Sequence, residues 1–189
     1  LEFRRVLFRS YNTRTGLFIK EFGKGKLKNP FGFSMDDKEQ IIVSDYYNNR
    51  IQVLAKNGGN IFTFGDIGPE KLLRPFSCVS HKNRFVSDSD HSCIKVFDQA
   101  GQFLYKFGSK GTENGQFSRP SGLHIDRHDC LLVCDQGSGR FQKFSLEGRF
   151  IGKCTTPGLE NLNGVAEIPD GRILVTSTRS KKVYIMITK

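Results

Sequence analysis

The stretch IIVSDYYNNRIQVL, from Ile41 to Leu54, decides the fold of this chain. It holds two short apolar runs, IIVS and IQVL, which are separated by the polar run DYYNNR. Short apolar runs bounded by Asn and Asp are typical of β-strands that are joined by a tight turn. The same arrangement recurs as FVSDSDHSCIKVF from Phe85, LLVCDQGSGRFQKF from Leu131 and ILVTSTRSKKVYIM from Ile173.

Two further units recur around these strand pairs. One is bounded by glycine, as GLFIKEFG (16–23), GGNIFTFG (58–65), GQFLYKFG (101–108) and GRFIGKCT (148–155). The other precedes each pair, as PFGFSMD from Pro30, PFSCVSH from Pro75, PSGLHID from Pro120 and LNGVAEI from Leu162, at spacings of 45, 45 and 42 residues. Four short apolar runs in each repeat of ~40–45 residues are the signature of a four-stranded propeller blade. We therefore predict an all-β propeller with repeats at about 27–65, 72–108, 117–154 and 162–189, and we label the strands of each blade a to d in chain order.

Composition is that of an ordinary globular protein. The chain has 189 residues, of which 37% are hydrophobic, with 17 Phe and no Trp. No window holds the ~18 apolar residues that a membrane helix needs, so we expect no membrane partner. The five cysteines are odd in number and form no CxxC pair, which favours free thiols in a reducing compartment. We therefore predict a cytoplasmic location.

The first ten residues, LEFRRVLFRS, are basic and apolar, and they match no later segment. We expect residues 1–10 to be a non-native or unstructured leader, and the propeller to occupy residues 11–189. The run 16–23 is similar to strand d of a blade. The chain is therefore expected to be a piece of a longer protein that has more repeats upstream.

The units PxGxxxD, IIVSDxxNNRIQV and GxFxxxFG together resemble the NHL repeat, and DYYNNRIQVL is similar to its most diagnostic stretch. The resemblance runs from Tyr11 to the C-terminus and is strongest to the C-terminal propellers of the tripartite-motif (TRIM-NHL) ubiquitin ligases. It implies an NHL-type β-propeller of six four-stranded blades, of which this incomplete chain holds about four, and it implies binding to RNA or to proteins. The chain departs from the repeat at Cys93 and Lys182, where Arg is expected, and at Ser177, where Asp is expected.

Catalytic motifs are absent from the sequence, which contains no GxSxG, Walker or HExxH pattern. The NHL family does include a zinc lyase whose metal is held by histidines from different blades. In this chain His124 and His128 fall in a strand and in the following hairpin, so they diverge by ~13 Å at strand spacing. We expect no metal, no cofactor and no small-molecule substrate, and a metal-dependent lyase is the weakest alternative.

An aspartate recurs at the end of strand b in three repeats, as Asp45, Asp88 and Asp135. Recurrence in three successive repeats favours a structural role over a catalytic one. We expect each carboxylate to accept hydrogen bonds from turn amides and to face the arginine five residues later, which is Arg50 or Arg140.

Basic residues are concentrated on one predicted face. The d–a and b–c connections share a face of a propeller and carry a formal charge of +4, whereas the a–b and c–d turns on the opposite face carry 0. Cations that alternate with aromatic side chains suit single-stranded nucleic acid. The predicted RNA- or partner-binding residues are Lys28, Tyr46, Tyr47, Arg74, Phe76, His91, Arg119, Arg179, Lys181 and Lys182.

The sequence thus favours a binding module that recognises single-stranded or stem-loop RNA in post-transcriptional regulation. The alternative is a protein-interaction platform that recruits substrates to a RING-type ubiquitin ligase. These residues contain no C-x₂-C…C-x-H pattern, so ubiquitin transfer would belong to a RING domain elsewhere in the parent protein. The identity of the RNA motif or of the protein partner does not follow from the sequence.

Overall fold

The computed structural model describes residues 8–23, 27–155, 158 and 160–186. Their strands form an opening hairpin, three four-stranded blades and a closing three-stranded sheet. The opening hairpin consists of β1 (Phe8–Tyr11) and β2 (Phe18–Phe22). Blade 1 consists of β3 (Pro30–Met35), β4 (Ile41–Asp45), β5 (Arg50–Leu54) and β6 (Asn60–Phe64). Blade 2 consists of β7 (Pro75–Ser80), β8 (Arg84–Asp88), β9 (Cys93–Phe97) and β10 (Phe103–Phe107). Blade 3 consists of β11 (Pro120–Ile125), β12 (Cys130–Asp135), β13 (Arg140–Ser145) and β14 (Phe150–Thr155). The closing sheet consists of β15 (Leu162–Glu167), β16 (Ile173–Ser177) and β17 (Lys182–Met186).

Each sheet is an antiparallel meander in which neighbours in sequence are neighbours in space. A 3₁₀ turn at Tyr46–Asn48 is the one helical element in the described part of the chain. The prediction of an all-β propeller with about four blades is therefore confirmed. The pattern in the sequence was sufficient because turn residues end every apolar run before it can extend into a helix.

The core lies between the blades rather than within one sheet. Ile42 and Val53 of blade 1 pack against Cys78 and Val86 of blade 2. Equivalent clusters join blade 2 to blade 3 around Phe85, Phe117 and Leu131, and join blade 3 to the closing sheet around Leu132, Cys134, Leu162 and Val175. Strands β4, β8 and β12 are buried on both faces at almost every position, including the polar residues near their ends.

A glycine of each c–d turn lies against the last phenylalanine of the preceding strand d. A Cβ atom added to Gly101 would lie 2.7 Å from the Cβ of Phe64, and one added to Gly148 would lie 2.6 Å from the Cγ of Phe107. Gly58 meets Phe22 in the same way. Each glycine also has a φ near +86° (+86°, +86° and +87°), a conformation that side chains disfavour. These contacts fix the approach of neighbouring blades.

The opening hairpin differs from the sequence-based expectation. Residues 1–7 lie outside the described residues, but Phe8–Tyr11 form β1, which pairs with β2 from Phe8 opposite Phe22 to Tyr11 opposite Phe18. Residues 8–10, which the sequence assigned to the leader, thus lie in a strand. Arg9 contributes to the pairing, since its Nε donates a hydrogen bond to Oε1 of Glu21 opposite, at 3.0 Å. The sequence did not indicate this strand because Arg9 and Ser10 interrupt the apolar residues of β1.

Candidate functional site

The d–a connections and the b–c turns are held together on one face. A backbone amide of each b–c turn donates to a carbonyl that lies shortly before strand a: Tyr47 to Lys28 (3.1 Å), Asp90 to Leu73 (3.3 Å), Gln136 to Arg119 (2.9 Å) and Thr178 to Asn161 (3.2 Å). We call this surface the loop face and define it by the d–a residues 27–29, 65–74, 108–119 and 160–161 with the b–c residues 46–49, 89–92, 136–139 and 178–181. The predicted binding residues lie on it or at its edge.

The recurring aspartates connect these two sets of loops. Asp45 is fully buried, and its Oδ1 accepts the backbone N–H of Lys28 at 2.6 Å. Its Oδ2 accepts hydrogen bonds from Arg50 Nε at 3.0 Å and Gln52 Nε2 at 2.7 Å. The same oxygen accepts Asn48 Nδ2 of the b–c turn at 2.8 Å, so the carboxylate bonds the b–c turn and Arg50, as the sequence suggested, and in addition a d–a amide and Gln52.

Blade 3 repeats this arrangement. The Asp135 carboxylate accepts the backbone N–H groups of Ser118 (3.0 Å) and Arg119 (2.8 Å) and the hydroxyl of Ser138. Arg140 lies 3.6 Å from the same carboxylate and donates to the carbonyl groups of Thr112, Glu113 and Gln116. The d–a connection is therefore fixed from both sides.

In blade 2, different residues bond the aspartate and the d–a connection. Cys93 occupies the arginine position, and Lys95, which is 3% exposed, places its Nζ 3.0 Å from Oδ2 of Asp88. The same ammonium donates to the carbonyl groups of Glu70 (3.1 Å) and Lys71 (2.8 Å). His91 Nδ1 completes the set at 2.7 Å from Asp88. Lys95 occupies the position of Gln52 and Gln142 and also takes over the contact of the missing arginine. The repeat shows the change of residue but not this contact.

An aromatic cluster lies where strands a of blades 1 and 2 meet the loop face. The ring of Phe31 stacks on that of Phe76, with centroids 4.8 Å apart, and packs against Tyr46 at 4.7 Å. Tyr47 meets Tyr46 edge to face at 5.1 Å. Arg119, from blade 3, donates a hydrogen bond to the Tyr46 hydroxyl at 2.7 Å. Five side chains from three blades are thereby brought together.

Exposure divides this cluster into supporting and accessible members. Tyr46 is 4% exposed, so it supports the cluster and offers no free ring face, contrary to its predicted stacking role. Tyr47 is 51% exposed and Phe31 is 46% exposed. Phe31 was missed by the sequence analysis, although it follows Pro30 as Phe76 follows Pro75. That shared position was the available signal.

The predicted cations differ in how they are engaged. Arg74 Nη1 lies 3.3 Å from Asp90, and Arg179 Nε lies 2.9 Å from Glu160; both are exposed pairs. Lys28, Lys181 and Lys182 are exposed and have no ion-pair partner within the described residues. These three lysines are therefore the most available positive charges among the predicted residues.

The histidines are distributed over separate sites. His81 Nε2 lies 3.6 Å from Asp129, and His91 contacts Asp88. Burial lowers the pKa of His124, which favours the neutral form of this imidazole. Within the described ranges, no three His, Cys, Asp or Glu side chains are close enough to hold a metal ion.

The chain matches two family models. Residues 77–182 match the family described as 6-bladed beta-propeller, and residues 27–54 match the NHL repeat. Fold and sequence together define a class, the NHL-repeat β-propeller. The chain belongs to the 6-bladed beta-propeller family, and its resemblance to the propellers of TRIM-NHL proteins is confirmed.

Characterised relatives include Protein brain tumor from Drosophila melanogaster, 29% identical over 141 residues, which are 70% of this chain and 13% of that protein. B-box type zinc finger protein ncl-1 from Caenorhabditis elegans is 31% identical over 70% of this chain and 16% of its own length. E3 ubiquitin-protein ligase NHLRC1 from Rattus norvegicus is 29% identical over 62% of this chain and 29% of its own length. The chain thus spans less than a third of these relatives.

Solved structures share the fold. Virginiamycin B lyase from Staphylococcus aureus superposes with a TM-score of 0.68 at 14% identity, covering 97% of this chain and 63% of the lyase. The WD40 beta propeller domain of Doa1 gives a TM-score of 0.67 at 17% identity, covering 93% of this chain and 56% of that domain. At such identities the likeness shows the fold alone. No helix among the described residues is long and apolar enough to span a bilayer.

Proposed function

We propose that this chain is the RNA-recognition module of a TRIM-NHL-type regulator and that it binds single-stranded or stem-loop RNA on the loop face. The observation that carries the proposal is the combination of accessible rings at Tyr47 and Phe31 with exposed lysines that have no ion-pair partner among the described residues. Base stacking on aromatic rings contributes ~1–3 kcal/mol per base, and lysines neutralise the phosphate backbone.

The binding residues in this proposal follow from exposure and from hydrogen bonding. Lys28, Lys181 and Lys182 contact phosphates, because no carboxylate competes for them among the described residues. Tyr47 and Phe31 stack bases, and Tyr46 holds the cluster in place through Arg119. Arg74, His91 and Arg119 contribute positive charge or hydrogen bonds at the edge of the cluster, in a cytoplasmic setting.

The test is a titration against a pool of short RNAs at two salt concentrations. A triple variant, Lys28→Glu, Lys181→Glu and Lys182→Glu, is expected to weaken binding and to reduce the slope of log K against log salt by ~0.7 for each lost phosphate contact. The matched control changes three exposed cations on the opposite face, Lys38, Lys82 and Arg149, to Glu. It carries the same change in net charge.

Equal loss of affinity in both triple variants would show that only net charge matters. If the wild-type chain binds no RNA, the RNA proposal is wrong. The same face would then serve the alternative function, a platform that holds ubiquitination substrates for a ligase. The relative named as an E3 ubiquitin-protein ligase, 29% identical over 122 residues, supports that second candidate.

A further inference from the structure

A groove on the outer rim, away from the aromatic cluster, separates blade 1 from blade 2. It has a volume of about 320 Å³ and runs between the end of β6 with its following loop and the c–d turn of blade 2. The volume is at the small end of the range for ligand cavities, which is ~300–1,000 Å³. It suits one or two side chains rather than a cofactor.

The floor of this rim groove is aromatic. Phe64 and Phe97 pack with their ring centroids 5.0 Å apart, and Phe97 meets Phe103 edge to face at 5.9 Å. Phe103 is 36% exposed, and Ile67, on the loop that borders the groove, is 84% exposed. An aliphatic side chain that entered here would cover the two exposed residues and contact three rings.

The charge of the groove is opposite to that of the chain. Its charged lining residues are Asp66 and Glu70, in a chain of net charge +10. A hydrogen bond from Lys106 lowers the pKa of Glu70, so this carboxylate is ionised and already paired. Asp66 is exposed and has no ion-pair partner in the described part of the chain. A free carboxylate beside an apolar floor favours a cationic partner and repels phosphate.

A backbone edge is also available at this position. β6 is the outermost strand of blade 1, so its outer edge pairs with no other strand in the described residues. The register of β6 with β5 shifts where Ile61 is inserted, which leaves Thr63 and Phe64 as the regular part of the edge next to the groove. An extended peptide can add main-chain hydrogen bonds to such an edge.

We propose that the rim groove docks a short extended peptide segment of a protein partner, in which an aliphatic residue is followed within two positions by Lys or Arg. The aliphatic side chain lies over Phe97 between Ile67 and Phe103, and the cation pairs with Asp66. The groove shares residues 65–67, 69 and 70 with the loop face but contains none of the lysines or aromatic rings assigned to RNA binding, so the proposal does not depend on RNA binding.

Display of random heptapeptides against the 189-residue chain tests the proposal. Enriched sequences are expected to carry an aliphatic residue followed by Lys or Arg. Selection against Asp66→Lys is expected to enrich acidic residues at the same position instead, because the charge of the site is reversed. Enrichment of the same sequences by both proteins would overturn the assignment.

A fluorescently labelled form of the most enriched heptapeptide then serves in a binding titration. Ile67→Ser with Phe103→Ser is expected to weaken binding at least about fivefold. Ile151→Ser is the control, since Ile151 is 53% exposed in strand d of blade 3, outside the groove. The proposal fails if the control weakens binding as much as the double variant, or if no peptide binds saturably.

Discussion

At the scale of single residues, the recurring buried aspartates have the largest predicted effect on stability. Asp45 is fully buried and accepts hydrogen bonds from Lys28 N, Asn48 Nδ2, Arg50 Nε and Gln52 Nε2. Removal of this carboxylate takes one buried hydrogen-bond acceptor away from each of these four donors.

Asp45→Ala is therefore expected to lower the free energy of unfolding by about 3 kcal/mol, measured by urea denaturation. Asp170→Ala is the matched control. Asp170 also binds an arginine, Arg172, but both side chains are exposed. No measurable change is expected for the control, and a similar loss in both variants would contradict the structural role of Asp45.

The thiols give a second residue-scale prediction. Burial raises the pKa of Cys78 to about 12 and also raises that of Cys134. Since the thiolate is the reactive form, both thiols stay protonated and protected in the folded chain at pH 8. Alkylation followed by mass spectrometry should label them only on denaturation, whereas Cys130, which is partly exposed, should be labelled in the native state. Rapid native labelling of Cys78 would contradict the burial.

At the scale of the element, blade 2 shows how one repeat position compensates for another. Lys95 contacts Asp88 and two carbonyl groups of the d–a connection, the same kinds of partner that Arg140 contacts in blade 3. Cys93 and Lys95 are therefore coupled, because the cation that binds the aspartate lies two residues later in strand c of blade 2 than in blades 1 and 3.

This coupling predicts a rescue. Lys95→Gln alone is expected to destabilise the chain by about 3 kcal/mol, because the Asp88 carboxylate loses its buried ammonium partner. Adding Cys93→Arg recreates the Arg and Gln pair of blades 1 and 3 and is expected to recover most of that loss. A double-mutant cycle on unfolding free energies measures the coupling. Additive effects of the two substitutions would contradict it.

At the scale of the whole molecule, the chain exposes apolar surface on strand a of blade 1 and on the last strand of the closing sheet. Phe33 and Met35 of β3 are 68% and 58% exposed, and Val183 and Ile185 of β17 are 62% and 58% exposed. The residue equivalent to Phe33 in blade 2, Cys78, is buried against blade 1. Between adjacent blades, the equivalent faces are buried against the neighbouring blade.

The 189-residue chain is therefore expected to self-associate as its concentration rises, since exposed apolar patches drive association. Sedimentation velocity over a range of concentrations measures this. Phe33→Thr with Ile185→Lys should reduce the association, because both substitutions lie on exposed faces. A chain that sediments as a monomer at every concentration would contradict the prediction.

The blades could be predicted from the sequence because each strand is short, apolar and ended by Gly, Asn or Asp. The side-chain contacts of the site could not, because they join residues far apart in the chain. Arg119 reaches Tyr46 across 73 positions. Arg84 is 1% exposed at a position where the other repeats have Ile41, Leu131 and Ile173, and its Nη2 lies 3.3 Å from Asp36 of blade 1. No local pattern distinguishes such a buried arginine from an exposed one.

The contact between a turn glycine and the preceding phenylalanine has a geometric consequence for ring closure. A ring of six blades must rotate by about 60° at each junction, and any deviation is multiplied by the number of junctions. At Gly58, Gly101 and Gly148 no side chain separates the turn from the aromatic ring, so the angular step is set by backbone against ring. A methyl group at one junction would widen that step and shift every later blade. The closure of the six-bladed ring therefore depends on the absence of a Cβ atom at each of these turn positions.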